Sequence, residues 1–379
     1  MGIGGIASDV KNVRDSPLYV LVREGDSSLW FVIEDGRQQQ QHQQEEESEK
    51  AKIGSDDDII FRRLGLPKLR YQRFPRSLLV INSKLYMIGG SKSSDRPCRP
   101  LREGEIQFLQ TEPAREYEYL DFQERTLRWR RQFFGKYHPG CQHLASSKDG
   151  LIYGFGPQSY IMNPSRRPRN VVATEPLPRM IGEYAHAPQP LAISNNKIYA
   201  YGRAGILPHY LFSYDIEEKR WECLCKHFWG EWATGVVLSG DSYLIAFGSR
   251  HPIKGDMERP GLWVFDINRR QWLDEPVEGL DEALPVIPDW VHDEVGYVYV
   301  YYLPCLFQVG KDRFAVIWEE SGDESYKLHC HKFTLQAPAS ADQPFVARQL
   351  SNQVKILNGG NNKILGCTVA LETEQGREV

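Results

Sequence analysis

Two stretches of this 379-residue chain repeat each other at a fixed offset. The first is LAISNNKIYAYGR (Leu191–Arg203), then LFSYDIEEKRW ending at Trp221. The second is VVLSGDSYLIAFGS (Val236–Ser249), then LWVFDINRRQW ending at Trp272. Asp215 and Asp266 lie 51 positions apart, and so do Trp221 and Trp272. Unrelated strands accumulate insertions independently and do not keep two offsets together. A period near 50 residues predicts an array of similar units, each too small to bury its own faces.

Further copies extend the array. Ser77–Ser93 carries the double glycine Gly89–Gly90, and its second half arrives late, at YLDFQERTLRW, with Asp121 and Trp129. CQHLASSKDGLIYGFG (Cys141–Gly156) is a weaker copy whose outer half has no tryptophan. CLFQVGKDRFAVIWEES (Cys305–Ser321) begins a fifth, continued by YKLHCHKFTLQ. Each copy reads as strand, short polar turn, and a second strand ending near glycine. Nineteen tyrosines and nine tryptophans favour strands over helices. The pattern predicts an all-β ring of four-stranded antiparallel blades. Gly89, Gly90, Gly202 and Gly248 would end second strands where backbone turns tightly. Trp129, Trp221 and Trp272 would fill the gaps between blades, and Asp215 and Asp266 would accept backbone N–H bonds at the turn into the fourth strand, with Asp121 as the repeat residue of the third copy.

These residues resemble the kelch repeat. The likeness runs roughly from Pro75 to Gln336. The copy with Gly89–Gly90, Tyr119 and Trp129 keeps the double glycine, spaced tyrosine and tryptophan of the signature; the others have decayed to YGR, FGS or IWE. The long-looped style is similar to plant kelch proteins of the galactose-oxidase central-domain superfamily. The resemblance implies a kelch-type β-propeller.

Five copies give five blades. The N-terminal runs Leu18–Arg23, Leu29–Ile33 and Ile59–Arg63 make three strands without an inner partner, while Lys363–Glu372 is a strand without a blade. Pairing them predicts a sixth blade, closing the ring and removing an open edge. A seventh is the alternative, because Gly296–Tyr302 (GYVYVYY) is a strong strand left over. The propeller is expected to span residues 16–373 as one domain. Residues 37–58, polar, Gln-rich and acidic, cannot offset their ordering entropy and are expected to form a disordered insertion within the first blade.

Net charge is −4, which supplies no electrostatic drive toward nucleic acid or an anionic membrane. Seven scattered cysteines show no disulfide framework, and Met1–Asp9 lacks an apolar signal core. These features predict a monomer of the cytoplasm or nucleus. No cofactor is implied.

Motifs of chemistry are weak. His329 and His331 of HCH alternate onto one strand face, without a second ligand pair nearby in sequence. Cys223 and Cys225 are one residue too close for a zinc knuckle. The runs Arg128–Arg131 and Arg166–Arg169 read as solvated edges and loops. The superfamily's copper site has no motif to place it. The iron triad of some plant kelch proteins finds only Glu282, Asp289 and His292, at the wrong spacing. No catalytic or metal-ligating residue is expected. The function expected is a non-catalytic protein-interaction or substrate-recognition scaffold. It would bind through the loops Ser91–Arg115, Arg203–His209 and Ser249–Pro260, with Arg203, His209, Arg250, His251 and Arg259 as a basic lining for an acidic peptide. The alternative is an enzyme, or a small-molecule or metal-binding protein, using the mouth of the central channel.

Overall fold

The structure is a computed structural model. It describes residues 16–24, 27–35, 59–67, 73–74, 77–81, 83–88, 91–92, 116–133, 142–145, 150–155, 159–164, 173–176, 186–194, 196–203, 209–226, 235–237, 242–248, 261–280, 284, 304–310, 312–321, 325–338, 343–358 and 363–371. All the secondary structure among them is strand and turn.

The chain opens with β1 (Leu18–Glu24), β2 (Ser27–Asp35), β3 (Ile59–Leu64) and β4 (Arg73–Phe74). Next come β5 (Ser77–Ile81), β6 (Lys84–Ile88), β7 (Ser91–Lys92), β8 (Glu116–Asp121) and β9 (Arg130–Phe133). Then follow β10 (Gln142–Ala145), β11 (Ile152–Phe155), β12 (Tyr160–Asn163) and β13 (Ala173–Pro176). The best-matched repeats are β14 (His186–Ile193), β15 (Lys197–Arg203), β16 (His209–Asp215) and β17 (Arg220–Cys225), followed by β18 (Gly235–Val237), β19 (Tyr243–Gly248), β20 (Gly261–Asp266) and β21 (Gln271–Trp272). The last are β22 (Cys305–Gln308), β23 (Arg313–Ser321), β24 (Ser325–Gln336), β25 (Val346–Asn358) and β26 (Lys363–Leu371).

The architecture is an all-β propeller. Four sheets are simple meanders: β10–β13, β14–β17, β18–β21 and β22–β25. The fifth has eight strands in the order β3-β2-β1-β26-β5-β6-β8-β9. A small ribbon pairs β4 with β7. The propeller therefore has five blade sheets among the described residues, and the expected count of six, or seven, is corrected. The reason is β26. It pairs antiparallel with β1, from Leu18↔Val369 to Arg23↔Lys363, with an irregularity between Leu21 and Val22. It also steps onto β5 in parallel at Ala370↔Val80 and Leu371↔Ile81. That short ladder merges the N-terminal strands and the β5-β6-β8-β9 row into one sheet. Gly296–Tyr302, the expected source of a seventh blade, lies outside the described residues, as do the insertion 37–58 and the pair Gly89–Gly90.

The 51-residue offset recurs as geometry. Asp215 faces Arg220 and Tyr214 faces Trp221 across β16 and β17; Asp266 faces Gln271 and Phe265 faces Trp272 across β20 and β21. Between them, Lys219 and Arg270 both take positive φ, 52° and 58°. The Asp side chains hold these turns. Asp215 Oδ1 accepts from the N–H groups of Glu217 and Glu218 at 3.0 and 2.9 Å, and Asp266 Oδ1 accepts from that of Arg269 at 2.8 Å. Asp121 Oδ1 accepts from the Gln123 N–H at 3.0 Å, and its carboxylate also meets Lys84 at 3.4 Å.

Neighbouring sheets pack face to face through aromatic residues. Trp221 lies in one core cluster with Tyr153 and Phe155 of the preceding sheet. Trp272 lies in another with Leu191, Tyr199 and Leu211 of its own preceding sheet. Trp129 is half-buried against Trp30, ring centroids 5.9 Å apart, and donates from Nε1 to the Pro67 carbonyl at 2.9 Å. Gly154 allows close approach at a rung with Tyr160: a Cβ there would meet the buried Tyr160 ring at 2.6 Å. Residues of β1, β2 and β26 share a core cluster with residues of β23 and β24, so the first and last strands of the chain are packed together.

Candidate functional site

The loops expected to bind leave the sheets between second and third strands. In β15 and β16 the ladder ends on the rung Arg203↔His209, and in β19 and β20 it ends on Gly248↔Gly261. These two sheets share a core cluster. The backbone thus makes Arg203 and His209 register partners at the mouth of a loop. Gly202 is buried one rung inside, opposite Tyr210. Arg250, His251 and Arg259 lie outside the described residues, as does the run Arg166–Arg169. Of the loop after β6, the described part is Ser91–Lys92, which pairs with Arg73–Phe74.

The HCH strand is β24. Its two imidazoles share a face, as the alternation requires, and both stack on one indole. Trp318 on β23 faces His329 directly. Ring centroids are 4.8 Å apart for Trp318 and His329, with planes 7° apart, and 4.7 Å for Trp318 and His331. At the open end of this row Glu320 meets the Lys327 ammonium at 2.7 Å and His329 Nε2 at 3.0 Å. Burial pulls the His329 pKa down, an effect that Glu320 opposes, and the hydrogen bonds from Lys327 and His329 lower that of Glu320. Among the described residues no group of three His, Cys, Asp or Glu side chains has metal-binding geometry.

His331 is buried, and desolvation lowers its pKa from 6.5 to about 4, with the neighbouring His329 contributing. The unfolded chain therefore takes up this proton first as pH falls. Stability that is complete above pH 6.5 is expected to decline toward about pH 4. After discounting for screening the loss should be about 1–3 kcal/mol. His331→Phe keeps the stacking and removes the proton. Thermal melts between pH 7 and 4 should show a flatter profile for the variant, and superimposable profiles would refute this role for His331.

A second cluster lies where β26 meets β22–β24. Glu319 Oε2 accepts from Tyr326 Oη at 2.5 Å and from the Ile364 N–H at 2.6 Å. Burial and the Glu319 charge push the Tyr326 phenol far above its usual range. Beside this carboxylate the Cys367 thiol donates to the sulfur of Cys305. That bond lowers the pKa of Cys305 and raises that of Cys367. Cys330 lies in the same core cluster. Nothing in the spacing of Cys305, Cys330 and Cys367 announces their proximity; it depends on the pairing of β26. Elsewhere, exposed Cys223 contacts the Cys225 carbonyl at 3.8 Å, and Arg130 and Arg128 pair with Glu124.

No family model matches the sequence, and no curated protein does. Among solved structures the chain is similar to TolB from Acinetobacter baumannii, at 10% identity and a TM-score of 0.41, covering 94% of this chain and 66% of TolB. It is similar to YjhT at 9% identity and a TM-score of 0.45, covering 89% and 98%. It is also similar to a NanB sialidase mutant from Streptococcus pneumoniae at 8% identity and a TM-score of 0.34, covering 82% and 54%. At these levels the likenesses carry nothing about chemistry, and the kelch resemblance stands on the repeat residues alone.

Proposed function

We propose that the protein is a non-catalytic interaction scaffold of the kelch kind, which recognises an acidic segment of a protein partner. Binding is through the loops between second and third strands, lined by Arg203, His209, Arg250, His251 and Arg259. The observation behind this is the rung Arg203↔His209, with the loop 249–260 following the last rung of the adjacent sheet's ladder, Gly248↔Gly261. The basic residues Arg203 and His209 at the mouth of the first loop suit carboxylate ligands. The strand β26, hydrogen-bonded to both β1 and β5, would close the ring that supports these loops. A monomer in the cytoplasm or nucleus goes with this role.

The test is fluorescence anisotropy of the full chain with labelled Glu/Asp-rich peptides and Lys-rich controls at physiological salt. Acidic peptides should bind selectively. Arg203→Glu combined with His209→Glu should weaken binding tenfold or more, about 1.4 kcal/mol or above, while the melting temperature stays unchanged. Equal binding of both peptide classes, or a variant that binds as well as the parent, would overturn the proposal.

A further inference from the structure

We infer that the outer edge of β25 docks an extended segment of a partner protein in which apolar and acidic residues alternate, added to the blade as a further strand. β25, with 13 residues, is the longest strand among the described residues, and it ends its sheet. Its inner edge pairs with β24 from Gln336↔Val346 to Ser325↔Asn358. Its outer edge is engaged at the start: the Glu278 N–H donates to the Phe345 carbonyl at 2.9 Å, and the Ala347 N–H donates to the Glu278 carbonyl at 2.8 Å. From Arg348 onward that edge has no backbone partner among the described residues. A long unpaired edge is a template for another strand.

The two faces of this edge differ in chemistry. The large hydrophobic residues exposed among the described residues are Val346, Val354 and Ile356, all on β25. Val354 is 45% exposed and Ile356 60%, and they share one face, opposite His329 and Lys327 in the ladder. Glu320 on that face is already held by Lys327 and His329. The other face carries Lys355, half-exposed, beside Leu357 of the core cluster against which Phe61 of β3 also packs. Cα atoms of β3 and β25 come within 8 Å of each other. Arg63 lies two positions from Phe61, so alternation puts it on the face turned toward β25, where it is exposed. Glu319, on the row of Lys355, already accepts from Tyr326 Oη and the Ile364 N–H. Arg62, on the opposite face, pairs with Glu34, whereas no ion pair engages Arg63 or Lys355 among the described residues.

These faces decide the occupant. A strand added to β25 has the same period of two, so one set of its side chains covers Val354 and Ile356 while the other meets Lys355 and Arg63. Apolar residues suit the first set and carboxylates the second. A second copy of this chain fits poorly. Val346–Asn358 carries Arg348 and Lys355 and no acidic residue, so two such edges repel each other. The surface is separate from the loop mouth at Arg203 and His209, which belongs to the sheet β14–β17.

The test is fluorescence anisotropy of the full chain with a labelled peptide of alternating Val and Glu, long enough to pair with residues 349–357. It should bind saturably at physiological salt, and its Val/Lys counterpart should not. Methylating the backbone nitrogens on the pairing edge of the peptide should abolish binding. Lys355→Glu should weaken binding by about tenfold or more, and so should Val354→Thr combined with Ile356→Thr, with melting temperatures unchanged. Hydrogen exchange of amides within 349–357 should slow in the complex. An unlabelled peptide of Glu and Asp alone, the probe for the loop mouth, should not displace the Val/Glu peptide at equal concentration. Absence of binding, binding that survives N-methylation or either variant, displacement by the Glu/Asp peptide, or protection confined to other strands would overturn the inference. Dimers of the parent that the double Thr variant splits would overturn it too, since a second copy then takes the edge.

Discussion

Truncation after Gly360 is expected to leave the protein insoluble or aggregated. The cut removes β26, the strand that pairs with both β1 and β5. Ile364, 4% exposed, leaves the core cluster that joins the first and last sheets, together with Cys367 packed against it. Burial of one such aliphatic side chain contributes about 1.5–3 kcal/mol. Glu319 loses the Ile364 N–H that satisfies its partly buried carboxylate, at a further cost of about 1–3 kcal/mol or more for a charged group. The whole β1 ladder on that side becomes an open edge with unpaired donors and acceptors, which invites aggregation. Together these losses approach the ~5–15 kcal/mol that holds a typical domain folded. Size-exclusion chromatography and a thermal melt of the truncated chain are the measurements. A soluble monomer with a cooperative transition would show that β26 does not fasten the two ends.

Trp221→Ala and Trp272→Ala are each expected to destabilise the protein by roughly 3–5 kcal/mol. Trp221 is 6% exposed and Trp272 7%. Trp221 meets Tyr214 at 5.0 Å between centroids and Phe155 of the preceding sheet at 6.3 Å. Trp272 meets Phe265 edge-on at 5.4 Å. Neither cavity can collapse easily, because both walls are sheets held by their own ladders. Denaturant midpoints at constant slope measure the loss. Trp129→Ala should cost less, since that side chain is only half-buried. A near-neutral result at Trp221 or Trp272 would mean that the residue does not support the gap between sheets.

The sequence made the repeat visible because its cause is local. An Asp that caps the turn, a residue tolerating positive φ, and a Trp one step into the next strand must keep their spacing wherever the same four-residue turn is built. Asp215, Lys219 and Trp221 recur as Asp266, Arg270 and Trp272 for that reason. The positive φ of Lys219 and Arg270 has no signature in the sequence, because neither residue type favours it. The His329–His331 alternation was legible as a shared face, yet not the stacking on Trp318, which comes from the neighbouring strand.

The number of sheets could not be counted from copies. Strand order along the chain says which runs pair with their immediate successors, since short turns permit little else. It is silent on what a strand does after a separation of hundreds of residues. β26 lies more than 280 residues from β5 and more than 330 from β1, and its register with both is set by which apolar faces must be buried together. The same long-range fit brings Cys305 beside Cys367 and carries Glu319 under the Ile364 N–H. Local turn chemistry thus wrote the blades into the sequence, whereas the junction between the chain's two ends arises from burial and hydrogen-bond satisfaction that exist only once the sheets are packed.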